Sequence, residues 1–183
     1  GGTVYRREEL EAQLSFARKH DLLVCSDEIH CDLVLEPGVK HIPFASLSED
    51  AAQRSVTLIS PSKSFNIAGL GASIAIIPNR ELRERCIDQR KGIVPEANVL
   101  SCVAATAAWR DGQPWLDAQT DYLRRNRDAL VDFINPLSEL SMAPPEGGYL
   151  GWIDASGLDV ANPALFFEQH LLGFSAGGDF GDS

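Results

Sequence analysis

VTLISPSKSFN, residues Val56 to Asn66, is the stretch whose reading decides the fold. It begins with a short β-branched apolar run (Val56 to Ile59) and breaks into Ser60-Pro61-Ser62-Lys63. A run of that length, bounded by turn-forming residues, reads as a buried strand. A second apolar run, Ala72 to Ile77, follows, so a lone lysine flanked by hydroxyls sits in a short loop between two strands. Such a lysine is either a solvated loop residue or an amine held for chemistry.

The pattern extends in both directions. Upstream, Leu22 to Cys25 reads as another buried strand stopping at Ser26-Asp27-Glu28, and Leu10, Leu14 and Ala17 mark an amphipathic helix over Arg6 to His20. Residues 37–54 read as loop with a short helical piece. Downstream, Ser73 to Ile77 is a third buried strand, and Asn79 caps a helix to about Lys91. A helix rich in small residues runs from Asn98 to about Trp109. After the break at 111–114, Pro114 suits the first turn of a long helix ending near Ile134. Tyr149 to Ile153 is expected as a strand, and Asn162-Pro163 opens a helix to about Leu172. Strands alternating with helices over residues 1–110 predict an α/β fold with a mainly parallel sheet, followed by a smaller α+β piece. The expected division is 1–113 and 114–183.

Composition narrows the function classes. Of 183 residues, 44% are apolar and 23% charged, which is globular rather than disordered. The net charge of -10 is uneven, because residues 128–183 hold nine acids and no Lys or Arg. Phosphate backbones need a basic face, so no nucleic-acid partner is expected. The acidic stretch reads as solvated surface, or as the complement of a basic partner segment. No apolar run approaches the ~20 residues of a membrane helix, and the polar opening has no signal-peptide pattern. Cys25, Cys31, Cys86 and Cys102 form no CxxC pair, so neither a metal site nor a disulfide framework is expected. Reduced thiols in the cytoplasm are the simpler reading.

In a parallel sheet, ligands sit outside the carboxyl ends of the strands. Asp27 follows one strand and Lys63 another, so both can reach one crevice. A carboxylate for a ring nitrogen and a lysine that forms an imine are what pyridoxal phosphate requires. On spacing alone, a loop-capping Asp27 and a solvated Lys63 remain open.

The blocks SDEIHCDL (Ser26 to Leu33), SPSKSFNIAGL (Ser60 to Leu70) and GGYLGWID (Gly147 to Asp154), taken in order, resemble one family. It is the fold-type I pyridoxal-phosphate enzymes of the class I/II aminotransferase superfamily, and within it the cystathionine β-lyase-like C–S lyases of the MalY/PatB type. The opening GGTVYRREEL also looks like a segment of these enzymes. The resemblance implies that Lys63 is the Schiff-base lysine and the base at the substrate Cα, and that Asp27 pairs with the pyridinium nitrogen. It places His30 against the cofactor's phenolic oxygen, where many relatives have tyrosine; a packed or surface histidine is the competing reading. Ser60 and Ser62 resemble hydroxyl donors to the cofactor phosphate, Ser60 being preferred, and Asn66 a structural residue. Many aminotransferases carry a phosphate-binding arginine eight residues after the lysine; here that position is Gly71, which fits the C–S lyase branch better.

The resemblance further implies a β-elimination of an amino-acid thioether to thiol, pyruvate and ammonia, by a homodimer when complete. Amino transfer on the same fold is the alternative, as is a catalytically incomplete fragment. The family's glycine-rich phosphate loop and ring-stacking aromatic residue would precede Gly1, and its carboxylate-binding arginine would follow Gly177 to Gly181. The 183 residues alone are therefore expected to be inactive. Two shorter matches carry nothing: Ser60 to Lys63 spells S-x-x-K without a following K-T-G, and Asp179-Phe180-Gly181 spells D-F-G without a preceding H-R-D.

Overall fold

The computed structural model describes residues 2–181; Gly1, which opens the segment used in the resemblance, lies outside them, as do Asp182 and Ser183. Helix α1 (Arg7–Lys19) starts where the Arg6 amide donates to Glu9 Oε2 at 2.6 Å, and buries Leu10, Leu14 and Ala17. Strand β1 (Val24–Asp27) follows. A 3-10 turn over Phe44–Ser46 and helix α2 (Glu49–Gln53), capped by Ser48, lead into β2 (Ser55–Ile59). Helix α3 (Pro61–Ser64) is a single turn, followed by a 3-10 turn over Ala68–Leu70 and by β3 (Ile74–Ile76).

Helices α4 (Arg80–Arg90), α5 (Val99–Asp111) and α6 (Gln113–Ile134) come next. Asn79 and Asn98 cap α4 and α5, accepting from the amides of Leu82 and Ser101. A two-residue pair, β4 (Ser141–Met142) with β5 (Ile153–Asp154), and α7 (Pro163–Gln169), capped by Asn162, complete the chain. None of the described helices is long and apolar enough to cross a membrane.

The main sheet has the order β1-β2-β3. β1 and β2 are parallel, with Val24 opposite Ser55 and Asp27 opposite Leu58. Beside this parallel pair, β3 runs antiparallel to β2, with Ile59 opposite Ile74. A parallel return needs a crossover, usually a helix that carries the chain back along the sheet. Residues 60–73 hold only one helical turn and one 3-10 turn, so the chain turns round at the carboxyl end of β2 and re-enters from there. β3 is also not buried: Ile74 and Ile76 stand about half exposed. The expected strand over Tyr149 to Ile153 contracts to Ile153–Asp154, with Gly148 in the left-handed region at φ 75° just upstream.

Leu10, Leu14, Phe44 and Ala51 form a buried hydrophobic cluster, with Val24, Ile42 and Leu47 against it. Burying a leucine or phenylalanine contributes roughly 1.5–3 kcal/mol, so this cluster fixes α1 and the 42–47 segment behind β1. An exposed ion-pair network adds to it: Asp50 on α2 takes Arg18 of α1 and Arg54 at 2.7 and 3.0 Å.

Candidate active site

Parallel neighbours end side by side, with strands roughly 4.8 Å apart, so β1 and β2 deliver Asp27 and the 60–63 turn to the same edge. Asp27 is the last ladder residue of β1, not a loop residue, because the Glu28 amide prolongs the ladder by donating to Leu58 O at 2.9 Å. Its carboxylate is exposed and, among the described residues, accepts only a long bond, 3.3 Å, from the Ile29 amide. Two successive turns, Cys31 N–H to Glu28 O and Leu33 N–H to His30 O, then place His30.

Lys63 lies on α3, a helical turn where the sequence reading put a loop. Ser60 and Pro61 supply its N-cap and N1, which is the start signal that the short span concealed. Phe65 closes the turn by donating to Pro61 O at 2.9 Å, and Asn66 follows in the left-handed region at φ 55°, a conformation asparagine tolerates. Lys63 is half-buried.

The two serines differ in role. Ser60 is buried, accepts from the Ser62 amide at 3.1 Å, and has its hydroxyl 2.6 Å from Ala72 O. A hydroxyl has one proton, and with it on the Ala72 carbonyl, Ser60 becomes an acceptor for the Ser62 hydroxyl 2.7 Å away. Ser62 is the one that lines the cleft around Lys63.

Two clefts border this edge. One, of about 380 Å³, is lined by Asp27, His30 and residues of the 2–5, 41–44 and 147–150 segments. The other, of about 550 Å³, holds Ser62, Lys63 and Asn66, walled by Trp115, Gln119 and Tyr122 of α6 and by Tyr149. The His30 and Tyr149 rings stand edge to face at 5.5 Å between them. The charges of Lys63 and Asp27 both reach His30. Burial and the Lys63 ammonium hold its imidazole below its ordinary value, and Asp27 acts in the opposite sense. His30 Nδ1 is buried and has no hydrogen-bond partner among the described residues. The neighbouring Cys31 is pushed up to about 12, by burial first and then by Asp32 and Glu28, so it stays a thiol and supplies no nucleophile.

Tyr149, Trp115, Gln119 and Tyr122 were not among the residues expected at the site. Their signal is visible afterwards: Trp115, Ala118, Gln119, Tyr122 and Leu123 follow helical spacing, so one stripe of α6 faces Lys63. Tyr149 is held by contacts that no local pattern shows. Glu146 accepts from the Val4 amide at 3.0 Å and pairs with Arg6, while its own carbonyl takes the Leu35 and Glu36 amides. The Gly148 amide donates to Leu33 O at 2.8 Å. Arg127, almost fully buried, bonds Glu36 and Pro145 O. Glu146 belongs to the acidic stretch read as solvated surface; here it joins the 2–6 segment to the 145–148 turn.

An amine on a helical turn, a carboxylate at the adjacent strand end, an imidazole with a free buried nitrogen, and hydroxyls beside the amine fit a pyridoxal-phosphate site.

The profile of the aminotransferase class I and II family matches residues 1–172. Cystathionine beta-lyase PatB of Bacillus subtilis (strain 168) is 41% identical over 174 residues, covering 93% of this chain and 44% of that protein. Among solved structures, OvoB superposes with a TM-score of 0.97 at 75% identity, over 100% of this chain and 48% of that one. Cystalysin from Treponema denticola, which contains a pyridoxal 5'-phosphate cofactor, gives a TM-score of 0.90 at 32% identity over 98% and 48%. The chain thus spans about half the length of the proteins it matches. With the fold, the lysine turn and the carboxylate strand end in agreement, the chain belongs to the class I and II aminotransferase family of pyridoxal-phosphate enzymes.

Proposed function

We propose that the whole protein is a pyridoxal-phosphate-dependent C–S β-lyase. It splits an amino-acid thioether of the cystathionine kind into a thiol, pyruvate and ammonia. The observation that carries this reading is the delivery of Asp27 and Lys63 to one sheet edge by parallel neighbours, with His30 sensing both charges. The preference for elimination over amino transfer draws on the similarity to a cystathionine β-lyase and on glycine rather than arginine at position 71.

When bound, the cofactor supplies an electron sink for the charge that develops at the substrate Cα. Lys63 would hold it covalently and move the proton at that carbon. Asp27 would accept a hydrogen bond from the ring nitrogen; bonds to a charged partner contribute roughly 1.5–3 kcal/mol. His30 would offer its unpartnered Nδ1 to the ring oxygen. Ser62 would donate toward the phosphate, with Ser60 holding Ser62 in place. Tyr149 and the α6 stripe line the cleft that holds the amine.

We also divide the chain at 113/114 into a cofactor-binding portion and a smaller one, and place the whole protein in the cytoplasm as a homodimer. Four free thiols support the compartment.

The test treats the intact protein with pyridoxal phosphate and borohydride and maps the modified lysine by mass spectrometry, in parallel with an assay on cystathionine. Lys63 should carry the label, Lys63→Ala should abolish it, and pyruvate and free thiol should appear. Efficient amino transfer to a keto acid without pyruvate would replace the lyase reading by the transaminase one. Labelling spread over other lysines would end both.

A further inference from the structure

Glu28 is a buried carboxylate that the proposed chemistry does not use. It follows Asp27 directly and is buried where Asp27 is exposed, and both border the cleft of about 380 Å³. Its Oε2 lies 2.7 Å from His41 Nε2, and its Oε1 accepts from the Phe44 amide at 3.0 Å and the Ser26 hydroxyl at 2.9 Å. Phe44 is part of the hydrophobic cluster behind β1. The Glu28 backbone closes the ladder to Leu58 and, through its carbonyl, the first of the two turns that place His30. Charged and polar groups facing it are thus His41, Ser26 and the Phe44 amide, with Cys31 feeling its charge.

We propose that Glu28, with His41, is a positioning clamp that ties the end of β1 to the core and so sets where Asp27 and His30 stand relative to Lys63. The proposal rests on the functional reading for what the clamp serves, but not for its existence. Without this anchor the strand end is held by the short ladder to β2 and by the backbone bonds of the 31–35 segment, and a one-residue slip exchanges the two faces.

In the intact protein, Glu28→Gln keeps the shape and the ability to accept from Phe44 but removes the charge, and His41→Asn removes the ring. Both avoid the full loss of partners in Glu28→Ala. Hydrogen exchange is measured without cofactor, and pyridoxal-phosphate affinity and the pH titration of the bound cofactor's absorbance with it. The Cys31, Leu33 and Leu35 amides should exchange about tenfold faster, with α1 and the start of β2 unchanged. Cofactor should bind about tenfold or more weakly, its absorbance titration should move, and the double variant should be no worse than the worse single. Unchanged exchange and affinity in Glu28→Gln would overturn the clamp. So would uniform acceleration across α1 and β2, which marks a residue that only stabilises the fold. If wild-type protein fails to take the cofactor on Lys63, the functional reading falls, and the exchange pattern still decides the clamp.

Discussion

Gly112 is where one methyl group tests how the Lys63 turn is braced. The residue separates α5 from α6 at φ -85°, ψ 0°, a conformation open to alanine, so the effect of Gly112→Ala is spatial. A Cβ there would lie 2.7 Å from Phe65 Cε1 and 3.1 Å from Cδ1, besides crowding Ala108 O. The Phe65 ring must retreat by roughly 0.7 Å to reach ordinary contact. That ring stacks on Trp115 at 6.1 Å, so it cannot withdraw freely. Overpacking of this kind costs ~1–3 kcal/mol, against a gain of ~0.4–1 kcal/mol from the stiffer unfolded chain. The net is a loss of about 1–2 kcal/mol, or ~2–8 °C in Tm at this chain length. Phe65 also closes the α3 turn, so Lys63 should move with it and borohydride labelling should fall. Thermal unfolding and labelling of Gly112→Ala, Phe65→Leu and the double variant form the assay. Leucine at 65 should relieve the ring part of the clash, though not the crowding of Ala108 O, leaving the double variant more stable than the sum of the singles. A Tm for Gly112→Ala equal to or above wild type, with full labelling, would refute the packing argument.

Two further outcomes follow from named contacts. Gly71 is the converse of Gly112: φ is 70° and nothing lies within 4 Å of an added Cβ. Gly71→Ala should cost ~1–2 kcal/mol from the left-handed backbone alone, and Gly71→Arg about the same; an arginine variant much worse than alanine in urea unfolding would contradict this. Asp50 is held at about 2, below its ordinary 3.8, by its bonds to Arg54 and Arg18. Its folded-state value is depressed, so the stability it contributes is present above pH ~4 and is lost as pH falls toward 2. Asp50→Asn should therefore have a lower urea midpoint than wild type at neutral pH, the two converging by pH ~2. A gap that widens in acid would reverse the sign.

Glu28 shows the same sign at a buried site. Burial works to raise its value, but the His41 bond, the Phe44 amide and the Ser26 hydroxyl outweigh it and hold the group low. Protonating it in acid should loosen the strand end that bears Asp27.

The residues that act through a local rule were legible in the chain. Asn79, Asn98 and Asn162 each cap a helix through their own side chain, and Asn79 and Asn162 were read as caps in advance. Leu10, Leu14 and Ala17 mark the buried face of α1 by spacing alone. Asp27 and Lys63 could be paired because two apolar strands precede them closely and parallel strands share an end. The one-turn α3 escaped because four residues are too few for periodicity, although its Ser-Pro start was in view.

Three things depended on the folded chain. The direction of β3 was hidden because an apolar run has no sense of direction; the return path over residues 60–73 sets it. The bond of the Ser60 hydroxyl turns on Ala72 O, which the strand reversal brings back beside Ser60. The Glu28–His41 and Glu146–Arg6 pairs join residues far apart in sequence, and a carboxylate's burial is a property of what packs around it. The sequence alone thus determined the chemical groups and the strand ends that carry them, because strand and cap signals act over a few residues. Only the tertiary structure decided which of those groups face the amine and which serve as anchors, because that depends on where distant backbone carbonyls and amides come to rest.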